Sequence, residues 1–149
     1  MDQHEISQVK KESPGEAAVN GVFGGLLGGM LMALYVLLAG QVVADSKWAY
    51  VGYLDLAHSG SPLQIIFTQL AVSAVYGAIF GLVCYWIKSG QPDLLPRWLV
   101  GLAYGMALWM LAVGFILPKD NFTLSPLSAV YLLFAYLVFG LVLGSRQKL

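Results

Sequence analysis

The chain has 149 residues, of which 58% are hydrophobic and 11% are charged, with a formal net charge of zero and a mean hydropathy of +0.73. Soluble domains carry about a quarter charged residues, so this composition excludes a water-soluble globular fold and a disordered chain. A chain without net charge has no long-range field to attract nucleic acid, so we expect no nucleic-acid partner.

A polar segment, 1–16, opens the chain and is predicted to be a cytoplasmic tail. Four apolar stretches follow, and each is long enough to cross a bilayer, which takes roughly 20 apolar residues. The predicted spans are 17–43, 62–87, 98–117 and 124–144, and a short basic end, 145–149, follows them. Lipid offers no hydrogen-bond partner to an open backbone, so each span is predicted to be helical. The predicted fold class is an all-α integral membrane protein with four transmembrane helices in a domain covering 17–144.

Lysine and arginine are distributed unevenly between the two sides of the predicted topology. One side carries Lys10, Lys11, Lys88, Arg97, Arg146 and Lys148. The other side carries only Lys47 and Lys119. Because cytoplasmic loops are enriched in these residues, both termini are predicted to be cytoplasmic, in a multi-pass protein of the cell inner membrane.

Two short sequence patterns of the first half of the chain recur in the second half. Gly25 and Gly29 are matched in spacing by Gly101 and Gly105, each pair being followed by methionine, and the run at 73–76 recurs letter for letter at 128–131. One interpretation is a tandem repeat of a helical hairpin. The other is chance similarity within a composition rich in glycine, alanine and valine.

Glycines recur every four residues in the predicted spans, which leaves each helix with a face that is nearly free of side chains. Helices associate in membranes through close backbone approach, and small residues at this spacing allow it. The predicted packing positions are Gly21, Gly25, Gly29, Gly77, Gly81, Gly101, Gly105, Gly140 and Gly144. Packing within the bundle is the simplest interpretation; docking of another chain, or of a bound lipid or pigment, is the alternative.

Polar side chains are few within the spans, and they cluster in the second one. The cluster consists of Gln64, Thr68, Gln69 and Ser73. An unpaired amide is costly in hydrocarbon, so Gln69 is predicted to face protein, a bound polar group or water. Trp109 lies in the middle of a span, where its indole N–H requires an acceptor. The candidate ligand contacts are therefore Gln69, Ser73, Tyr76 and Trp109.

The residues that membrane chemistry requires are missing from the spans. Proton-coupled transporters need a titratable group inside the membrane, and haem ligation through histidine needs histidine there. His4 and His58 lie outside the spans, Cys84 is the only cysteine, and the sequence contains no metal-ligand cluster or nucleophile with a base. We therefore expect no enzyme activity, no catalytic residues and no metal, and we predict no cofactor, with bound lipid, quinone or carotenoid as the alternative.

A set of motifs in the second half is shared with one group of small membrane proteins. The motifs are Pro96-Arg97-Trp98, Gly101-x3-Gly105-x3-Trp109 and Ile116-Leu117-Pro118, followed by a last helix and a basic end. With them, the region from residue 65 onward resembles the YagU-like bacterial inner-membrane proteins. That family tends to carry histidines in these helices, whereas this chain has Gln69 near the first such place and none later. The resemblance implies a bacterial inner-membrane location and leaves the function open.

Three functions remain after these exclusions. The first is a non-catalytic structural or assembly subunit that packs against a larger membrane complex of respiratory or photosynthetic type. The second is a small homo-oligomeric channel or permease with a polar path near Gln69. The third is a protein that binds a hydrophobic cofactor or lipid. The expected partners are the lipid bilayer and other membrane-protein subunits.

Overall fold

A computed structural model of the protein describes residues 13–43, 62–90, 96–116 and 126–146. Within these residues the chain is all helical. The helices are α1 (Pro14–Val43), α2 (Pro62–Gly90), α3 (Arg97–Leu111), which continues into a π-helical segment (Ala112–Ile116), and α4 (Pro126–Arg146).

All four helices are long and apolar enough to cross a membrane. The spanning parts are Pro14–Ala39, Ile66–Ile87, Arg97–Gly114 and Ala129–Arg146. The prediction of four transmembrane helices is therefore confirmed at the level of helix number, length and composition. Together they indicate a multi-pass membrane protein.

The helix boundaries differ by a few residues from the predicted spans, and proline and capping explain where three helices begin. Proline is the first residue of α1, α2 and α4, where its missing N–H would be unsatisfied in any case. At the start of α1, the backbone N–H of Glu16 donates to Oγ of Ser13 (3.2 Å), and the backbone N–H of Ser13 donates to Oε2 of Glu16 (2.9 Å). This capping box starts the helix at Pro14, so residues 14–16 belong to α1 and not to the preceding tail.

The helices are arranged in the order α2, α1, α4, α3. Helix α1 packs along α2 and along α4, and α3 packs along α4. Contacts between Ala17 and Gly81, Gly24 and Leu143, and Gly144 and Arg97 make each of these neighbouring pairs antiparallel. The start of α1 therefore lies at the same end of the bundle as Arg97 and Arg146.

Residue size distinguishes the interior of the bundle from its outer surface. The buried core consists of Met32, Val36, Phe80, Ala135, Phe139 and Leu143, and glycines bring the backbones together around it. Large apolar side chains such as Phe23, Leu38 and Phe67 point outward. This is the distribution expected in lipid, where an exposed leucine costs nothing and close packing holds helices together.

Candidate functional site

Helix α1 is in close backbone contact with α2 through glycines. A Cβ atom added at Gly21 would overlap the carbonyl oxygen of Gly77, and one added at Gly25 would overlap that of Ser73. Gly29 faces the side chain of Ser73 in the same way. No residue with a side chain fits at these glycines unless the two backbones move apart.

The second hairpin, α3 and α4, has the same kind of contact. A Cβ atom at Gly101 would overlap the carbonyl oxygen of Gly140, and one at Gly105 would overlap that of Tyr136. At Gly144 an added Cβ would lie 2.9 Å from Cα of Trp98. The predicted packing glycines of all four helices therefore face another helix of the same chain.

A different set of glycines joins the two hairpins. An added Cβ would lie 3.1 Å from Cδ2 of Leu143 at Gly24 and 2.9 Å from Cδ2 of Phe139 at Gly28. The nearest neighbour at each of these glycines is a side-chain atom, although the carbonyl oxygen of Phe139 also lies 3.3 Å from a Cβ added at Gly28. Helices α1 and α4 therefore pack mainly with glycines of α1 against large side chains of α4. Both faces of α1 that lack side chains are thus covered from within the chain.

The side chains of the predicted polar cluster on α2 are divided between the interior and the outer surface of the bundle. Gln69 and Ser73 are buried, being 7% and 3% exposed, whereas Thr68 is half-buried and Gln64 is exposed. Gln69 and Ser73 therefore lie inside the bundle, whereas Gln64 lies at its surface.

The Gln69 side chain points toward α1. Its Nε2 donates a hydrogen bond of 3.7 Å to Sδ of Met32, a weak acceptor. Sequence reasoning identified the buried amide but not this partner, because a methionine within an apolar helix gives no signal of its own. The structure places Gln69 between two helices, and the sulfur of Met32 is the acceptor that the described residues give to its amide.

The other two candidate ligand contacts take part in hydrogen bonds between helices. Nε1 of Trp109 donates to the carbonyl oxygen of Ala129 at 3.1 Å, which joins α3 to α4. Tyr76 contributes its carbonyl oxygen, which accepts a hydrogen bond of 2.8 Å from the hydroxyl of Tyr104. The indole N–H therefore has the acceptor that its position requires, and Tyr76 belongs to a contact between α2 and α3.

Tyr104 was not singled out by its sequence context. Its ring also packs against Phe80, with the centroids 5.0 Å apart and the planes tilted by 48°. Phe80 is completely buried. Tyr104 lies between Gly101 and Gly105, three residues after the first and one before the second, and its role would have been detectable only with knowledge of which helix lies opposite.

The described helices contain no group of three histidine, cysteine, aspartate or glutamate side chains that could hold a metal ion. Comparison of the chain with protein-family models, with curated proteins and with solved structures gives no match. The resemblance to YagU-like proteins therefore stays a prediction. The site as a whole is a set of helix contacts within a four-helix membrane protein.

Proposed function

We propose that this protein is a non-catalytic subunit that attaches to a larger membrane complex through the outer face of α3. The observation that carries the proposal is the composition of that face. It presents Ala103 and Ala107, both exposed and four residues apart, next to the exposed side chains of Met106 and Met110. This face lies on the side of α3 opposite the glycines that contact α4.

Small residues at this spacing let another helix approach closely, and methionine adapts its shape to an irregular partner surface. In the π-helical segment that continues α3, Gly114 is exposed, and a Cβ atom added there would meet nothing within 4 Å. The glycine faces of all four helices contact helices of the same chain, whereas this alanine and methionine face of α3 is exposed and has no neighbour among the described helices. A transmembrane helix of another protein is the partner that fits it.

The membrane and the topology are part of the proposal. We propose that the protein lies in a bacterial inner membrane with both termini in the cytoplasm. The orientation is proposed because the end of the bundle with Arg97 and Arg146 also carries most of the basic residues of the adjoining segments. The similar glycine contacts of the two hairpins support a tandem repeat of one hairpin unit.

The proposal is tested by purification in mild detergent with mass spectrometry of the stoichiometric companions. Ala107→Trp places a large ring on the outer face of α3, and Ala71→Trp, at an exposed alanine of α2, is the matched control. We expect the wild-type protein and Ala71→Trp to retain the same companion in constant ratio and Ala107→Trp to lose it. A wild-type protein that purifies alone, or equal retention by both variants, would contradict the proposal.

A homo-oligomeric channel or permease is the second candidate, and one observation favours it. The buried amide of Gln69 is paired with a thioether, which leaves it able to bind a solute or water more strongly. Flux of solutes into reconstituted vesicles that is lost in Gln69→Leu but retained in Gln64→Leu would support this function. Absence of flux for the wild-type protein would count against it.

A further inference from the structure

The two hairpins place their glycines in equivalent positions. Gly21 contacts the carbonyl oxygen of Gly77, and Gly101 contacts that of Gly140; each of these contacts is reciprocated from the opposite glycine. One turn further along, Gly25 and Gly105 repeat the relationship. The contacts therefore align Gly101 with Gly21. The spacing of the glycines in the sequence instead aligns Gly101 with Gly25, which lies one helical turn further along α1.

The sequences agree with this correspondence in α2 and α4. Val75-Tyr76-Gly77 aligns with Val138-Phe139-Gly140, and in both helices a further glycine follows four residues later. Ser73 then corresponds to Tyr136 and not to Ser128.

The two hairpins meet where α1 packs against α4 and where α3 packs against α2. The alignment makes these two contacts equivalent, but their side chains differ in size. Where α1 meets α4, Gly24 faces Leu143. At the equivalent place between α3 and α2, Tyr104 faces Phe80. One contact is thus glycine against a large residue, and the other is two aromatic rings.

The next turn repeats the difference. Gly28 faces Phe139 between α1 and α4, and the residues at the equivalent positions are Leu108 and Tyr76, both packed at the edge of the core. Large residues on both sides hold the backbones of α2 and α3 farther apart than those of α1 and α4. The bundle therefore has one closely packed seam, α1–α4, and one wide seam, α2–α3.

We propose that the α2–α3 seam is a lateral opening of the bundle. The hydrogen bond from the hydroxyl of Tyr104 to the carbonyl oxygen of Tyr76 keeps this opening closed. Each hairpin moves as a rigid unit, because its helices touch backbone to backbone along several turns. The α1–α4 seam is the pivot. Opening separates Tyr104 from Tyr76 and Phe80 and exposes the tyrosine-rich side of the core to lipid.

The strengths of the contacts support this division. A single hydrogen bond between transmembrane helices contributes little, so it can break and re-form without unfolding the bundle. Parting two helices of one hairpin would instead forfeit close packing over several turns. Motions of one packed unit against another are a common form of conformational change.

The test measures distances between spin labels on the full-length protein in nanodiscs, in a Cys84→Ser background. One pair, Ile79→Cys with Ala103→Cys, reports on the α2–α3 seam; the matched pair, Leu27→Cys with Leu141→Cys, reports on the α1–α4 seam, and all four positions are exposed. We expect a broader distance distribution across α2–α3 than across α1–α4. We expect Tyr104→Phe to add a population at longer α2–α3 distances and to leave the α1–α4 distribution unchanged.

Trp109→Phe is the control variant, because it removes a hydrogen bond within one hairpin and not between the two. Equal widths for the two pairs in the wild-type protein would overturn the proposal. So would an α2–α3 distribution that Tyr104→Phe leaves unchanged, or one that Trp109→Phe alters to the same extent. The wild-type comparison tests the proposal even if a variant is too unstable to label.

Discussion

The hydroxyl of Tyr104 in α3 donates a hydrogen bond of 2.8 Å to the carbonyl oxygen of Tyr76 in α2. This bond joins the two helices of the bundle that are held apart by large side chains, and it comes from a residue whose counterpart in the first hairpin is Gly24. The contacts between helices are thus of two kinds, close glycine packing and spaced aromatic packing. Each kind leads to different expectations for substitutions.

Gly77→Ala is expected to destabilise the protein, although alanine is the better helix former. Its Cβ would overlap the carbonyl oxygen of Gly21 and lie 2.7 Å from Cα of Gly25, so α1 and α2 must move apart. We expect a loss of about 1–3 kcal/mol in the free energy of unfolding, as for other overpacked sites. Denaturant unfolding in detergent micelles measures it.

Gly114→Ala is the matched control for this substitution, because a Cβ there meets nothing within 4 Å. Its stability should be unchanged or raised by up to about 1 kcal/mol, in line with helix propensity. Equal effects of the two substitutions, in either direction, would show that backbone contact at Gly77 does not hold α1 to α2.

Gln69→Met is expected to be tolerated, in contrast to most substitutions of a buried polar residue. The amide is 7% exposed and donates only to the sulfur of Met32 among the described residues, so its removal leaves no strong acceptor unsatisfied. We expect the free energy of unfolding to stay the same or rise by about 1 kcal/mol. The exposed Gln64→Met serves as control. A loss of more than about 2 kcal/mol at position 69 alone would indicate a strong partner for the amide.

Ser13→Ala should loosen the beginning of α1 without affecting the rest of the bundle. The substitution removes the oxygen that accepts from the backbone N–H of Glu16 and leaves that group without its cap. The expected cost is about 1 kcal/mol, seen as faster hydrogen exchange of the amides in the first turn of α1. Ser145→Ala, which removes only a bond to the carbonyl of Val142 within α4, is the control. Protection that persists in the first turn would show that the cap is dispensable.

The predicted orientation is open to a direct measurement. Four spans place both termini on the same side, and the distribution of lysine and arginine predicts that this side is the cytoplasm. Reporter fusions active only in the cytoplasm should be active at both termini, and fusions active only outside should be inactive at both. Activity of the outside reporter at either end would refute the predicted orientation.

The glycines show how far the candidate site was predictable from sequence. The four-residue spacing of Gly21 and Gly25 indicated a packing face before any partner was known, since that spacing places both on one side of a helix. It did not indicate that Gly24 and Gly28 face α4 while Gly21 and Gly25 face α2. Likewise, the cost of burying an amide marked Gln69, but Met32 as its partner could not be foreseen.

By itself, the sequence determined the number of spans, their helical state and the residues small enough for close contact. These properties are local: hydrocarbon thickness sets the length of a span, and the lack of water forces each backbone to bond within its own helix. Only the tertiary structure decided which faces meet, why Tyr104 lies over Phe80, and which seam is wide. In a soluble protein, the inner face of a helix can be recognised because it is apolar and the outer face is polar. Here both faces are apolar, so which helices pack together depends on how large residues fit against glycines on helices distant in sequence.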